Sequence, residues 1–397
     1  MSDAFIISAL RTPVGRYGGA LSSIRPDDLM AHTIRSVVEG SGIDPAAFDD
    51  VVIGNANGAG EDSRNVARLA WLRAGYPDTV AGVTVNRLCA SGMTSISMAT
   101  ALVASGQADL IVAGGVESMS RAPWVMPKPE SAFAKPTAIW DTAIGPRFVN
   151  PAFPPRVNYS MLETAEEVAR VKNVSREDAD AFAVESQSRA QTALQAGCFN
   201  SEITAVEVTD RKGKVTIVDT DEGPRAGVTR EGLARLKPIV QGGSVVTAGN
   251  SSSLNDGASA VIIASEWAIR EHNLTPRARV AGATVVGLAP EIMGMGPVPA
   301  THKLLDRTGW KLDDVDAIEL NEAFATQSLA CIRELDLDSA KVNSWGGAIA
   351  LGHPLGSSGA RISITLLNRL EKSSARRGIA TMCVGYGQGM ALAIETV

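Results

Sequence analysis

The chain has 397 residues, longer than a single hydrophobic core usually grows, so two or more domains are expected. Apolar residues make up 45 % and charged residues 20 %, a composition that places it among folded globular proteins and excludes the disordered classes. Its 37 basic and 43 acidic side chains give a net charge of −6 with no block of like charges, which argues against a general affinity for nucleic acid or an anionic membrane. An anionic substrate would need a local basic pocket.

The apolar run at 4–9 reads as a first strand; no basic region precedes it, so it is read as the start of a cytoplasmic domain and not as a targeting segment. A helix is expected over 26–38, a strand at 50–54, a helix near 64–74, a strand near 81–85, a helix near 91–105 and a strand at 109–113. That alternation predicts an α/β domain. Apolar runs such as 109–115 are far shorter than the roughly 20 residues of a membrane helix. From 120 to about 248 the pattern changes: prolines cluster between 123 and 155, a charged helical segment covers 163–196, and a strand-rich piece follows at 202–219. This stretch reads as an inserted loop domain. It divides a first half, 1–119 with about 249–275, from a second half at 276–397.

An internal repeat relates the two halves. The segment Ser41-Gly-Ile-Asp-Pro-Ala-Ala-Phe-Asp-Asp-Val-Val-Ile-Gly54 runs beside Thr308-Gly-Trp-Lys-Leu-Asp-Asp-Val-Asp-Ala-Ile-Glu-Leu-Asn321 at a shift of 267. Asn86-Arg-Leu-Cys-Ala-Ser-Gly92 runs beside His353-Pro-Leu-Gly-Ser-Ser-Gly359 at the same shift of 267. Chance similarity of one pair is common, whereas one offset shared by two segments points to a duplicated α/β unit.

Four cysteines, Cys89, Cys198, Cys331 and Cys383, are too few for a disulfide framework in so long a chain, and none forms a CxxC pair or joins clustered histidines, so zinc is not supported. Cys89 follows a strand and precedes a helix, where unpaired N–H groups and the helix dipole favour a thiolate nucleophile. A buried structural cysteine is the commoner fate, and position alone leaves both readings open. Its counterpart turn carries His353, one of four histidines, within Gly346-Gly-Ala-Ile-Ala-Leu-Gly-His-Pro-Leu-Gly-Ser-Ser-Gly359. Such a glycine density brings the imidazole to the mouth of a site as a base, against the alternative of a solvated loop residue. Cys383 ends a strand ahead of Gly385-Tyr-Gly-Gln-Gly389; the next segment is again strand-like, which rejects a dinucleotide loop and leaves N–H groups free to face a reacting oxygen. Asn321-Glu-Ala-Phe-Ala325 begins at a strand's carboxyl end, where ligand sites form, although an ordinary helix cap by Asn321 would look the same.

Together these residues resemble the thiolase family over essentially the whole chain. The matching motifs are Arg11-Thr-Pro-Val-Gly15, the segment around Cys89, Gly114-Gly-Val-Glu-Ser-Met-Ser120, Thr247-Ala-Gly-Asn-Ser-Ser-Ser-Leu-Asn-Asp-Gly257, Asn321 to Ala325, the 346–356 run and Cys383 to Gly389. The resemblance implies the thiolase fold, two βαβαβαββ halves in an α-β-α-β-α layering with an inserted loop domain. It also implies Cys89 as the acylated nucleophile, His353 as its base and Cys383 as the acid/base at the acetyl-CoA α-carbon. Asn321 would hold a water that forms an oxyanion hole with His353, and the N–H groups of Cys89 and Gly385 a second one. Arg225, Gly249 and Ser252 fall on CoA-contacting positions, and Met161, Met293 and Phe324 on positions lining the acyl pocket. Coenzyme A is implied as a substrate, with no permanent cofactor or metal, and the partner expected is a second copy, as homodimer or homotetramer.

Within the family, Glu130-Ser-Ala-Phe133, Asp141-Thr-Ala-Ile-Gly-Pro-Arg-Phe-Val-Asn-Pro151 and Ser160-Met-Leu-Glu-Thr-Ala-Glu166 look closest to thiolases acting on 3-oxoadipyl-CoA. Short-chain acetoacetyl-CoA thiolases usually carry His-Met-Gly where this chain has Ser160-Met161-Leu162. Trp345 replaces a usual Asn and Tyr386 a small residue, and with Leu162 they are expected to crowd the acyl group. An acetoacetyl-CoA-specific biosynthetic thiolase is one alternative. A decarboxylating ketoacyl synthase is another, disfavoured by Cys383, and a non-catalytic CoA- or lipid-binding relative is a third, for which Trp345 is the best support.

Overall fold

A computed structural model describes residues 3–135 and 138–397. The first half contains β1 (Ala4–Arg11), α1 (Pro26–Ser41), β2 (Asp50–Gly54), α2 (Val66–Arg73), β3 (Val83–Val85), α3 (Ser91–Ala104), β4 (Leu110–Ser118) and β5 (Asn255–Ser265). Before β5 come two helices, α4 (Met161–Lys172) and α5 (Arg176–Gln195), and a hairpin of Val206–Thr209 with Val215–Val218. The second half repeats the order with β6 (Ala278–Gly287), α6 (Pro297–Thr308), β7 (Ala317–Leu320), α7 (Ala325–Glu334), α8 (Leu355–Lys372), β8 (Arg377–Val384) and β9 (Gln388–Thr396), except that the counterpart of β3 is reduced to a single parallel bridge of Val342 with Ile318.

These strands form one sheet in the order β7-β8-β9-β6-β1-β5-β4-β2-β3. Read outward from its centre, the first half runs β1-β5-β4-β2 and the second β6-β9-β8-β7, so each half orders its strands alike. The two half-sheets join edge to edge where Phe5 pairs Arg279 and Ile6 pairs Ala278. The shift of 267 found in the sequence carries Asp50 at the start of β2 onto Ala317 at the start of β7, and Leu110 of β4 onto Arg377 of β8. It also carries Gly42 onto Gly309, which end α1 and α6 at φ of 71° and 70°, a left-handed conformation suited to glycine.

The two half-sheets enclose α3 and α8. One apolar cluster joins Met93 and Ile96 of α3 and Ile362, Leu366 and Leu367 of α8 to Ile6, Ile111 and Ile263 on one side and Met382, Leu392 and Ile394 on the other. Helices α1 and α2 cover the outer face of the first half-sheet, and α6 and α7 that of the second, giving five alternating layers. α8 is buried on all sides from Gly356 to Leu370, as expected of a helix held between sheets. Its approach to α3 is so close that a Cβ on Gly92 would lie 2.7 Å from the Gly356 carbonyl oxygen, and one on Gly359 would lie 2.5 Å from Met93 N. Those two glycines are again 267 apart.

The segment before β5 is fastened to β1 through buried charge. Arg11 Nε meets Glu202 at 2.7 Å, and its Nη1 and Nη2 meet the two Asp221 oxygens at 2.6 and 2.9 Å. Between 124 and 153 the chain carries many exposed apolar side chains, including Trp124, Phe133, Ile139, Ile144 and Phe148. Among the described residues no helix is long and apolar enough to cross a membrane.

Candidate active site

Cys89 lies in a 3-10 turn, Leu88–Ala90, between the edge strand β3 and α3. Ser91 locks this turn: its hydroxyl donates to the Leu88 carbonyl at 2.7 Å and accepts the Arg87 N–H at 2.9 Å. Asn86 Oδ1 accepts the Leu88 N–H at 2.8 Å, and Leu88 is held at φ +47°, a strained value for a branched side chain immediately before the nucleophile candidate. Burial pushes the Cys89 thiol up to about 11; the N–H groups of Gly385 and of Cys89 itself act in the opposite sense, and the Glu117 carboxyl adds to the rise. The helix N-terminus therefore does not supply a resting thiolate, contrary to the expectation from sequence. Desolvation outweighs these N–H groups, so a base must take the proton.

Glu117 ties the two halves of the site together. One carboxylate oxygen, Oε2, accepts the N–H groups of Ala56 and Gly356, both at 2.9 Å. Burial pushes this carboxyl up to about 7.

His353 is anchored at its backbone by Asn255, whose Oδ1 accepts the His353 N–H at 2.9 Å while its Nδ2 donates to the Gly15 carbonyl at 2.9 Å. Gly352, at φ 105°, leaves room for this amide; a Cβ there would lie 2.5 Å from the Asn255 side chain. His353 Nδ1 lies 2.6 Å from Ser358 Oγ, and that hydroxyl donates its single proton to the Pro354 carbonyl at 2.9 Å. With the Ser358 proton assigned to that carbonyl, Nδ1 carries the proton shared with Ser358 and Nε2 keeps a free lone pair. Burial, with Arg361 as a lesser cause, depresses the imidazole to about 3, so it is neutral at working pH. Nε2 and both amide atoms of Asn321 are buried without a hydrogen-bond partner. Buried polar atoms are rarely left so, and these are poised for a ligand or a water.

Cys383 ends β8 and is buried in a cluster with Met293, Phe324, Ala323, Ala165 and Val246, against which Met161 and Leu162 pack. The three residues expected to line an acyl pocket, Met161, Met293 and Phe324, thus surround one of the expected catalytic cysteines. Burial, followed by the proximity of Cys89 and then Cys331, holds the Cys383 thiol well above its usual range. Gly385, two residues on, would bring a Cβ within 3.0 Å of Leu88 Cδ1 and 3.6 Å of Met161 Sδ, so its backbone faces the Cys89 turn.

The expected CoA contacts fall into two groups. Ser252 N–H donates to the Ala323 carbonyl at 3.0 Å beside Phe324, and Gly249 packs where a Cβ would meet Leu233 at 2.6 Å. Arg225 lies elsewhere, on a groove formed with α5 residues Gln187, Ser188 and Gln191, and its N–H donates to Gln187 at 2.8 Å. Two expectations of crowding are corrected. Trp345 packs in the cluster of Cys198 and Phe199 and not in that of Cys383, edge-on to Phe199 with ring centroids 5.8 Å apart and with Lys372 Nζ 5.7 Å from its ring. Tyr386 is half exposed at the β8–β9 turn, and only Leu162 touches the acyl cluster. Sequence reasoning assigned no role to Ser358, Asn255 or Glu117. Ser358 was within reach, since a shift of 267 places it on Ser91, and both hydroxyls brace the turns of their halves.

The chain matches the description "Thiolase, N-terminal domain" over residues 4–267 and "Thiolase, C-terminal domain" over residues 274–396. It belongs to the thiolase family, and the five-layered architecture is the thiolase fold. A beta-ketoadipyl-CoA thiolase of Pseudomonas aeruginosa is 56 % identical to it over 399 residues, covering 100 % of this chain and 99 % of that protein. A 3-oxoadipyl-CoA/3-oxo-5,6-dehydrosuberyl-CoA thiolase of Escherichia coli is 50 % identical over 100 % of both. Among solved structures, an acetyl-CoA acetyltransferase of Bacillus anthracis superposes with a TM-score of 0.94 at 39 % identity, over 100 % of this chain and 99 % of that one. The human mitochondrial 3-ketoacyl-CoA thiolase in complex with CoA does so with 0.93 at 39 %, over 100 % and 98 %.

Proposed function

We propose that this acyltransferase cleaves 3-oxoadipyl-CoA with CoA, reversibly, into succinyl-CoA and acetyl-CoA through a Cys89 acyl-enzyme. The observation that carries the reading is the convergence of the Cys89 and Gly385 N–H groups on the Cys89 sulfur, with Cys383 and its apolar cluster alongside. The relatives named for 3-oxoadipyl-CoA and its longer dehydrosuberyl analogue support the substrate class, a 3-oxoacyl-CoA whose chain ends in a second carboxylate.

In this reading Nε2 of neutral His353 takes the Cys89 proton as the sulfur attacks the 3-keto carbon. The oxygen of the tetrahedral adduct receives the two N–H groups. The C2–C3 bond breaks, its electron pair passes to the acetyl-CoA enolate, and the enolate oxygen is met by protonated His353 and by a water on Asn321. Cys383 protonates the α-carbon, and acetyl-CoA leaves. Free CoA then gives its thiol proton to Cys383 and attacks the Cys89 thioester, and succinyl-CoA is released as the departing Cys89 sulfur takes back the proton held on His353. Ser252, Gly249 and Arg225 hold CoA, whose phosphates suit the guanidinium. A second copy of the chain covers the exposed apolar side chains of 124–153 and the edge strand β3, in keeping with the rarity of such patches on a monomer.

Incubation with 3-oxoadipyl-CoA in the absence of CoA, followed by mass spectrometry of the Cys89 peptide, is expected to reveal a succinyl thioester and one equivalent of acetyl-CoA. Release of acetyl-CoA without that adduct would overturn the covalent route, and no reaction at all would overturn the substrate.

A further inference from the structure

Arg147 is a half-buried cation that no protein carboxylate claims. Its neighbours in the same segment are paired, Arg121 with Glu61 and Arg156 with Glu291. Arg147 instead directs Nη2 to Asn57 Oδ1 at 3.2 Å and to the Asn57 carbonyl at 3.5 Å, with no ion-pair partner among the described residues. Asn57 is itself oriented, because its Nδ2 donates to Thr142 Oγ1 at 2.9 Å. The amide thus holds one edge of the guanidinium and leaves the other edge free.

Arg147 lines a cavity of about 90 Å³ shared with Leu88, Leu355, Glu117, Asn57 and Thr142. Leu88 precedes Cys89 and approaches Gly385, and Leu355 follows His353 by two residues, so the cavity lies against the nucleophile turn and the base loop. Glu117 does not compete for the cation: its Oε2 is already taken by two backbone N–H groups, and burial favours its neutral form. A succinyl group on Cys89 would place its carboxylate carbon about 4 Å beyond the thioester carbonyl, at ~1.5 Å per bond.

We propose that Arg147, positioned by Asn57, is the specificity-determining residue that receives the distal carboxylate of the 3-oxoacyl chain. The inference rests on the substrate reading above and adds to it the group that reads the charge. A planar fork of donors matches a carboxylate in a bidentate manner, and a methyl-ended chain in the same cavity leaves that fork unpaired.

The test compares thiolysis of 3-oxoadipyl-CoA with that of 3-oxohexanoyl-CoA, an acyl chain of equal length ending in methyl, in the wild type, Arg147→Met and Arg147→Lys. The ratio of the two kcat/KM values is expected to fall on the order of 100-fold in Arg147→Met, mostly through KM for the dicarboxylic substrate, with Arg147→Lys between. Because each variant serves as its own control, a general loss of folding leaves the ratio unchanged. A ratio in Arg147→Met within about threefold of wild type overturns the assignment. A wild type that cleaves 3-oxohexanoyl-CoA but not 3-oxoadipyl-CoA instead defeats the substrate reading on which it rests.

Discussion

Ser358 Oγ lies 2.6 Å from His353 Nδ1 and 2.9 Å from the Pro354 carbonyl oxygen, so a hydroxyl that donates to the carbonyl accepts the Nδ1 proton. This fixes the tautomer that leaves Nε2 free to take a proton. Ser358→Ala lets the imidazole populate both tautomers and turn in its pocket, and kcat is expected to fall about 10- to 100-fold with KM little changed. Ser358→Thr keeps the hydroxyl and should recover most of the loss. Steady-state thiolysis with both variants decides it: equal kcat in Ser358→Ala and wild type would mean that the hydroxyl does not select the base.

The depressed pKa of His353 links stability to acid. In the unfolded chain the imidazole titrates near 6.5, and in the folded protein burial lowers this to about 3. A folded value below the unfolded one means that the native state binds fewer protons. Its stability contribution is then full above pH 6.5 and is lost as pH falls toward 3. Glu117, raised to about 7, runs the other way: its contribution is present below its unfolded value and is lost as pH rises through 7. Urea unfolding of wild type and His353→Gln at pH 7.5 and 4.5 separates the two. The wild type should lose roughly 3 kcal/mol more than the variant on acidification, and parallel losses would show that the imidazole is not held neutral.

Arg11 is a buried cation that fastens β1 to the inserted segment before β5, through Glu202 and Asp221. Arg11→Met removes the cation paired with two buried carboxylates, which among the described residues keep only hydrogen bonds from Thr365, Asn368 and Val14 and the nearby charge of Arg361. The cost is expected at about 3–5 kcal/mol, read as a lowered urea midpoint. A triple replacement of all three by apolar residues should recover much of it. If Arg11→Met alone leaves the midpoint unchanged, the cluster is solvated and not structural.

Much of this organisation could be read in the chain itself. The offset of 267 anticipates the paired helix ends at Gly42 and Gly309 and the touching helices at Gly92 and Gly359, because backbone geometry at a turn or a close crossing admits few residue types. Cys89, Cys383 and His353 stand out as candidates just as readily, since few residue types can be nucleophile or base. Protonation state was not legible. The Cys89 thiol is set by its burial and by Glu117 and Gly385, which come from β4 and the β8–β9 turn, and no local pattern reports that enclosure. The orientation of Trp345 was hidden for the same reason, because Phe199, its packing partner, lies 146 positions earlier in a different segment. Arg147 was visible only as part of a motif; its want of a carboxylate partner is a property of the assembled cavity.

Gly385 offers the sharpest separation of nucleophile from oxyanion stabilisation. Its φ is not in the left-handed region, so alanine strains no torsion, but the new Cβ would lie 3.0 Å from Leu88 Cδ1 and must push either the β8–β9 turn or the Cys89 turn outward by a few tenths of an ångström. The N–H that faces the Cys89 sulfur then moves away from the position a developing oxyanion would occupy. Loss of one such donor typically costs about 100- to 1000-fold in kcat, and a partial displacement in Gly385→Ala is expected to cost on the order of 10- to 100-fold. Alkylation of Cys89 by iodoacetamide forms no oxyanion at carbon, so its rate should change far less. Measured together, a large fall in thiolysis with near-normal alkylation supports the donor role. Equal losses in both would instead mean that the substitution has displaced Cys89 itself.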